Sequence, residues 1–465
     1  MGLRSPQRRA PPPPAARPGE PPRRKRVFIQ TFGCQMNAYD SAKMLEQLRA
    51  ECYDATADPG QADLVILNTC AIREKAEHKV YSLLGTLAGL KSRNPAALIG
   101  VAGCVAQQKG REILRRAPHV DLVFGTDNLF ELPDLLRQAA GGRRVARTEW
   151  HSRRRRVENF IPDLPSLPEP GGPSPVSAQI AITKGCNNFC SFCVVPFTSG
   201  PEVSREPDNI VEEARRLTER GVKEITLLGQ NVNSYSALGV DFVALLERLH
   251  TVEGLERIRY TSPHPKDFNE RLALAHRDLP KLCEHLHLPF QAGSDAILRA
   301  MRRNHKIAGY LEKIARAREL VPGLAVTTDV IVGFPGETEA DFQATLEVMH
   351  QVRFDQVYAF KFSPRPGTMA ADLGDPVPES DKAERLARLF ALHERTVQEI
   401  NDALVGARQQ VLVEGPARVP GAVTGRTRGN KNAVVLECRA GPGQLVGAEI
   451  VAARKFALVG REVRP

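Results

Sequence analysis

The 465-residue chain has no apolar stretch long enough to cross a bilayer, and no apolar segment follows the arginines of its N-terminus. Neither a membrane partner nor a secretory signal is therefore expected, and the cytoplasm is the expected compartment. There is no internal repeat beyond an alternation of strand and helix patterns. An even cysteine count is also missing: the nine are Cys34, Cys52, Cys70, Cys104, Cys186, Cys190, Cys193, Cys283 and Cys438. An odd number in a large intracellular chain excludes a fully paired disulfide framework and turns attention to metal ligation or catalysis. Paired C-x2-C knuckles are absent, and no histidine lies beside the densest cysteine cluster, so a structural zinc site is disfavoured there.

What the chain does have is ordinary bulk composition, 42% hydrophobic and 25% charged, over a length that calls for two to four domains. Its charge is uneven. Residues 1–26 carry eight Lys and Arg against Glu20, which is +7 of the chain's +10, together with the run Pro11 to Pro14. Such a segment cannot bury a core and reads as a disordered tail, either a plain solvated extension or an arm that attracts nucleic acid.

Residues 27–150 alternate short apolar runs (27–33, 63–69, 98–103, 122–125) with helical patterns (41–48, 74–90), the pattern of a small parallel α/β domain. Cys34, Cys70 and Cys104 each directly follow one of these runs. Ligands in open α/β sheets gather at strand carboxyl ends, so three thiols distant in sequence are expected at one sheet edge, as a shared ligand set or as small packed hydrophobes. Residues 151–177 read as a linker, rich first in arginine and then in proline, glycine and serine. From 178 to 404 six larger βα units point to a curved or barrel-like parallel sheet, with strands near 179–183, 224–228, 257–261, 285–290, 325–332 and 356–362. A long helix over 380–404 closes it. Residues 405–465 change to short β runs with glycine turns, a small β-barrel whose turns Gly425-Arg-Thr-Arg-Gly429 and Lys431 are basic.

The sharpest local signal is Gly185-Cys186-Asn-Asn-Phe-Cys190-Ser-Phe-Cys193, directly after the first strand of the central unit. Three thiolates in C-x3-C-x2-C spacing hold three corners of a cubane iron–sulfur cluster and leave the fourth iron open for an exogenous chelate. In this chemistry the chelate is S-adenosylmethionine, whose reductive cleavage yields a 5′-deoxyadenosyl radical.

With this loop, Thr31-Phe-Gly-Cys34-Gln-Met-Asn37, Asn68-Thr-Cys70, Gly103-Cys104, Gly229-Gln-Asn-Val-Asn-Ser-Tyr235, His287-Leu-Pro-Phe-Gln-Ala-Gly-Ser294, Gly333-Phe-Pro-Gly-Glu-Thr338 and Ser363-Pro-Arg-Pro-Gly-Thr368 in one order, the chain resembles the methylthiotransferases of the radical S-adenosylmethionine superfamily. The resemblance covers nearly all of 27–465. It implies an N-terminal methylthiotransferase domain, a partial (βα)6 TIM-type radical SAM barrel and a C-terminal RNA-binding TRAM barrel. It also implies a second [4Fe–4S] cluster on Cys34, Cys70 and Cys104, whose open iron takes the sulfur to be inserted. Within the family the chain is most similar to the tRNA enzymes that convert N6-isopentenyladenosine, next to the anticodon, to its 2-methylthio derivative. Sister enzymes act on threonylcarbamoyladenosine or on an aspartate of a ribosomal protein. The implied partners are the tRNA, an electron-donating reductase or flavodoxin-type protein, and a sulfur donor. A different class, a non-catalytic RNA-binding protein with structural clusters, is opposed by the lack of a fourth ligand in either triplet.

One departure stands out: after Pro196-Phe-Thr198 the family usually has Arg-Gly, and this chain has Ser199-Gly200. For the S-adenosylmethionine contacts the expected residues are Gln230 and Asn231 at the second barrel strand's end, Gln291 and Ser294 after the fourth, and Gly333 after the fifth. Phe192 is expected beside the adenine or in the core. His264 and His287 are expected to be core or supporting residues, and Cys52, Cys283 and Cys438 structural thiols.

Overall fold

A computed structural model describes residues 24–71, 74–150 and 175–463, excepting the side chains of 74–78. The tail and most of the linker read from the sequence lie outside these residues.

The N-terminal unit runs β1 (Lys25–Thr31), α1 (Gln35–Ala50), β2 (Tyr53–Ala55), β3 (Leu64–Thr69), α2 (Glu74–Arg93), β4 (Leu98–Gly103), α3 (Cys104–Lys109), α4 (Arg111–Arg116), β5 (Leu122–Phe124), α5 (Leu132–Ala140) and β6 (Val145–Arg147). Its six strands are all parallel, in the order β2-β1-β3-β4-β5-β6. β3 is buried along its whole length, as an apolar run covered on both faces must be. One face is covered by α1 and α5 through Met44, Leu48, Leu132 and Leu135; the other is covered by α2 and α4 through Leu84, Leu87 and Ile113. The strand order reverses between β1 and β3. That switch point is where open α/β sheets leave a crevice for a ligand, and Cys34 and Cys70 flank it.

The central unit comprises β7 (Ser177–Ala181), β8 (Thr183–Lys184), α6 (Val195–Thr198), β9 (Val203–Ser204), α7 (Pro207–Glu219), β10 (Glu224–Leu228), β11 (Ser236–Ala237), β12 (Val240–Asp241), α8 (Phe242–His250), β13 (Arg257–Tyr260), α9 (Glu270–Asp278), β14 (His285–His287), α10 (Asp295–Ala300), α11 (Ile307–Leu320), β15 (Ala325–Val332), α12 (Glu339–Val352), β16 (Gln356–Lys361), α13 (Met369–Asp372) and α14 (Glu379–Asp402). Two parallel triples, β7-β10-β13 and β14-β15-β16, are joined by a bridge from Ile258 to Leu282. They form an open six-stranded barrel with β7 and β16 as its edges. The N-terminus of α12 is fixed by a capping box: the Thr338 side chain accepts from Asp341 N, and the Asp341 carboxylate accepts from Thr338 N.

Five strands, β17 (Arg408–Pro416), β18 (Val423–Thr427), β19 (Asn432–Leu436), β20 (Leu445–Arg454) and β21 (Ala457–Glu462), close the C-terminal barrel. Here the sequence reading needs a correction. Gly425 to Thr427 belong to β18, and the turn is confined to 428–431. Glycine suits a strand at this point because β17 crosses closely; a Cβ on Gly425 would lie 2.9 Å from the Leu412 carbonyl carbon.

The basic turn residues are also not a free phosphate-binding surface. Arg428 pairs with Glu284 at 2.6 Å, Lys431 with Asp355 at 2.7 Å, and Arg426 donates to Glu414 and Asn430. In return, Arg259 donates to the carbonyls of Arg428 and Thr427, and Arg257 to those of Arg426 and Gln410. These contacts seat the C-terminal barrel at the amino ends of the central strands.

A cysteine-lined cavity between two parallel sheets

A cavity of about 580 Å³ opens where the N-terminal sheet meets the central barrel. Cys34, Cys104, Cys186, Cys190 and Cys193 all line it, and it runs down the inside of the open barrel as far as Asn430 of the C-terminal unit.

The first thiol triplet arises from three adjacent parallel strands. Cys34 caps α1 just beyond β1, Cys70 follows β3, and Cys104 begins α3 at the end of β4. The Asn37 amide donates to Asn68 Oδ1 and the Thr69 carbonyl, while Asn68 donates back to the Asn37 carbonyl, which ties the first turn of α1 to β3. Thr69 Oγ1 donates to the Ala102 carbonyl and accepts from Val105 N, which ties β3 to β4. Gly33 (φ +113°) passes so close to Cys70 that a Cβ there would sit 2.6 Å from Cys70 Sγ. The Cys34 thiol pKa is raised, first by its hydrogen bond with Cys70 and then by burial. Cys104 is pushed up to about 12, by burial and then by the charge of Cys34.

The second triplet sits on the loop after β8. Gly185 (φ +79°) has no room for a side chain: a Cβ would lie 2.6 Å from the Pro201 carbonyl carbon. Cys186 N donates to the Gly200 carbonyl, Ser191 N to that of Met301, and Ser191 Oγ to that of Ala300. Burial raises Cys186 and pushes Cys193 up to about 12, with the Cys190 charge adding to the latter. Arg303, absent from the sequence reading, reaches Cys190 Sγ with Nη1 at 3.7 Å and holds the Pro289 carbonyl with Nη2.

No three His, Cys, Asp or Glu side chains among the described residues converge on a single-ion site. The donor set, two groups of three cysteines without a fourth protein ligand among the described residues, fits an iron–sulfur cluster with an open iron. Cys34, Cys104, Cys186 and Cys193, whose thiols are all pushed above their ordinary pKa, require a positively charged core to become thiolates together. Unpartnered buried polar atoms in the same wall, Gln230 Oε1 and Asn188 Oδ1, fit an exogenous polar chelate.

Of the proposed cofactor contacts, Phe192, Gln230 and Gln291 line the cavity with the cysteines. Gln291 holds a left-handed backbone at φ 70°. Asn231 is buried behind this wall and donates to Asp267 at 2.8 Å. Ser294 caps α10 and bonds Asp341. Gly333 (φ +72°) lies under the Lys382 stem, whose Cδ would be 3.0 Å from an added Cβ. Ser199 and His264 also border the cavity, and burial and then Arg303 push His264 down to about 2, so it stays neutral.

The sequence reading missed Asp40 and Lys184, both in the cavity wall. Burial raises Asp40 to about 6, with Lys184 opposing. Lys184 Nζ donates to the Thr126 carbonyl at 2.6 Å, joining the two sheets. A signal existed for each: Lys184 adjoins the cluster loop, and Asp40 falls within two helical turns of Cys34. Cys52, Cys283 and Cys438 lie outside the cavity.

Residues 180–349 match the Radical SAM superfamily, and residues 26–125 match the uncharacterized protein family UPF0004. Among solved structures, the radical S-adenosylmethionine methyltransferase TsrM from Kitasatospora setae, described with cobalamin and a [4Fe-4S] cluster bound, shares the fold. Its TM-score is 0.57 at 14% identity, over 86% of this chain and 80% of that one. Fold and loop together define a radical S-adenosylmethionine protein. The chain is 47% identical over 410 residues to the tRNA-2-methylthio-N(6)-dimethylallyladenosine synthase of Geobacter sulfurreducens, covering 88% of this chain and 90% of that one. It is equally similar over 412 residues to the enzyme of the same name from Geotalea uraniireducens, covering 88% and 92%. It belongs to the tRNA-2-methylthio-N(6)-dimethylallyladenosine synthase family of radical SAM methylthiotransferases.

Proposed function

We propose that the chain methylthiolates C2 of N6-isopentenyl (dimethylallyl) adenosine next to the anticodon of tRNA, with one [4Fe–4S] cluster on Cys186, Cys190 and Cys193 and a second on Cys34, Cys70 and Cys104. The observation that carries this reading is that Cys34 and Cys104 of one triplet and all three thiols of the other open onto one cavity, with Cys70 buried just behind Cys34. When bound, the two clusters and S-adenosylmethionine supply a radical able to take hydrogen from an unactivated carbon, and the sulfur and methyl group to be transferred.

The chain's own residues supply the frame. Gly33 and Gly185 let thiols approach where any side chain would collide. Arg303 places a fixed cation beside Cys190. Gln230 and Asn188 offer acceptors to the amino acid or ribose of the cofactor. Asp40, near neutral pKa in the same wall, holds or releases a proton within the cavity. An electron-donating reductase or flavodoxin-type protein and a sulfur donor complete the cycle in the cytoplasm; no helix among the described residues is long and apolar enough to cross a membrane.

The test is anaerobic iron and sulfide analysis with Mössbauer spectra on wild type and two triple alanine variants, one for each thiol triplet. About eight irons, halved in each variant, is the expected result. About four irons, lost only without Cys186, Cys190 and Cys193, would remove the sulfur-inserting site and the proposal with it. Mass spectrometry of isopentenylated tRNA, threonylcarbamoylated tRNA and ribosomal protein after turnover decides the substrate, and a methylthio group on either of the latter two would redirect the assignment.

A further inference from the structure

His264 is a buried imidazole with one hydrogen-bonding atom left over. It follows β13, and its backbone is clamped from both sides: His264 N donates to Asn233 Oδ1 at 2.8 Å, and Asn233 Nδ2 donates to the His264 carbonyl at 3.1 Å. The ring caps the short turn that comes next, Nδ1 accepting from Lys266 N at 3.1 Å. A neutral imidazole whose Nδ1 accepts carries its proton on Nε2. That Nε2–H meets no acceptor among the described residues, although His264 is only 5% exposed and stands in the wall of the cysteine-lined cavity. A buried donor without an acceptor is destabilising and calls for an explanation. Its place in the cavity wall points to a ligand that brings the acceptor. Ser262, in the same wall, holds a left-handed backbone at φ 60°, strain of the kind that clusters at ligand sites.

Charge narrows the chemistry of that acceptor. Burial, then Arg303, His305, Lys266 and Lys313, disfavour a second proton on the ring, so His264 offers a neutral donor and stays one. A carboxylate would find a stronger partner in the Arg303 guanidinium of the same wall. A neutral N–H suits a neutral acceptor held in a plane, such as the ring nitrogen of a base drawn into a pocket. Two adenines belong to the proposed reaction, and position separates them. Phe192, expected beside the adenine of the cofactor, packs with Ala292, Phe334 and Phe362 on the β14–β16 side of the barrel. His264 follows β13, which belongs to the other strand triple. In the target adenine, C2 lies between N1 and N3, each with a lone pair in the ring plane. A fixed donor against either nitrogen sets that plane and the direction of the C2–H bond.

Resting on the reading of the chain as an enzyme that acts at C2 of an adenosine in tRNA, we propose that His264 orients the target base, its Nε2–H donating to N1 or N3, the ring nitrogens on either side of C2.

The experiment uses the anaerobically reconstituted holoenzyme and synthetic anticodon stem-loops whose N6-isopentenyladenosine is intact or has N1 or N3 replaced by C–H. The Kd of each RNA is measured for wild type, His264→Leu and His264→Gln. With wild type, one of the two deaza RNAs is expected to bind roughly 5- to 150-fold more weakly than the intact RNA, the loss when a buried donor is left without its acceptor. His264→Leu is expected to show the same loss with intact RNA and no further loss with that deaza RNA, since both partners are then gone. His264→Gln, whose amide can bring an N–H near the position of Nε2, is expected to recover part of the affinity. The Kd for S-adenosylmethionine, measured without RNA, is expected to stay unchanged in both variants. Equal wild-type Kd values for all three RNAs overturn the proposal with no variant needed, so it stays falsifiable even where iron content and thermal midpoint show His264→Leu to be misfolded. Losses that multiply when the variant meets the deaza RNA overturn it as well. So does a weakened Kd for S-adenosylmethionine with RNA binding intact, which assigns the donor to the cofactor. Intact RNA that binds wild type but gains no methylthio group would count against the proposed function, while the coupling between His264 and the ring nitrogen is still read from binding.

Discussion

Gly33→Ala separates the two thiol triplets by a single methyl group. The new Cβ would lie 2.6 Å from Cys70 Sγ, whereas unstrained contacts between such atoms need about 3.5–4.0 Å, so one partner must retreat by roughly 1 Å or more. The backbone adds its own cost, since φ +113° is open to glycine and strained for alanine. Cys70 has little freedom to yield, because Thr69 is hydrogen-bonded to Ala102 and Val105 and Asn68 to Asn37 and Ser41. The displacement therefore falls on the turn that carries Cys34 and on the two sulfurs themselves. Metal–ligand distances tolerate about 0.2 Å, several times less than the required shift. Iron is accordingly expected to fall from about eight to about four per chain, with 5′-deoxyadenosine still formed from S-adenosylmethionine and no methylthio product. Gly89→Ala, on α2 with nothing within 4 Å of the added carbon, is the control and keeps all its iron. Eight irons and full product formation in Gly33→Ala would refute the reasoning, because the close approach at Gly33 would then have no bearing on the sulfur site.

Three further predictions follow from buried charge. Glu213→Gln leaves Lys43 and Arg205, both almost fully buried, without the carboxylate they share; a loss of about 3–5 kcal/mol is expected in urea unfolding of the apoprotein, and a loss under 1 kcal/mol would contradict it. Because the folded Asp40 carboxyl titrates near 6, above its unfolded value, the folded state holds the extra proton and stability falls as pH rises through that window. Asp40→Asn is thus expected to match wild-type apoprotein near pH 4 and exceed it at pH 7.5, with equal urea midpoints at both pH values as the contrary result. Arg303→Ala withdraws a cation from Cys190, which destabilises the more negative reduced state; EPR redox titration should show a midpoint lower by on the order of 60–130 mV, and an unchanged or higher midpoint would dismiss the contact.

What could be read from the sequence was whatever local pattern dictates. β3 and β4 are near-continuous apolar runs, and a cysteine directly after such a run is bound to sit at a strand's carboxyl end, so the first triplet was visible before any coordinates. β2 and β6 were not, since Tyr-Asp-Ala and Val-Ala-Arg are neither apolar runs like the equally short β5 nor long enough to show a period. Gly425 was mistaken for a turn because the cause of that glycine is the crossing of β17, a contact between separate strands. The basic residues after it looked free because their acidic partners, Glu284 and Asp355, lie far away in sequence. Arg303 is 113 residues from the sulfur it approaches, and no motif spacing encodes that.

The cavity is made by neither sheet alone, which gives the buried charges between the units a purpose. Cys34 and Cys104 come from one fold and Cys186, Cys190 and Cys193 from another, so the separation of the two triplets is set by how the sheets dock. An apolar interface would let α1 slide on β7 at little cost, since hydrophobic contact is non-directional. The Lys43–Glu213–Arg205 cluster and the Lys184 bond to Thr126 do not permit this: a shift of a few ångströms would leave charges buried and unpaired, at several kcal/mol each. The same logic holds at the other end, where Arg257 and Arg259 donate to the last residues of β18 and the first of the turn that brings Asn430 to the cavity. Docking enforced by buried ions is costly for stability compared with apolar packing. It fits a protein whose chemistry needs two sulfur sites and one nucleotide held at fixed mutual distance.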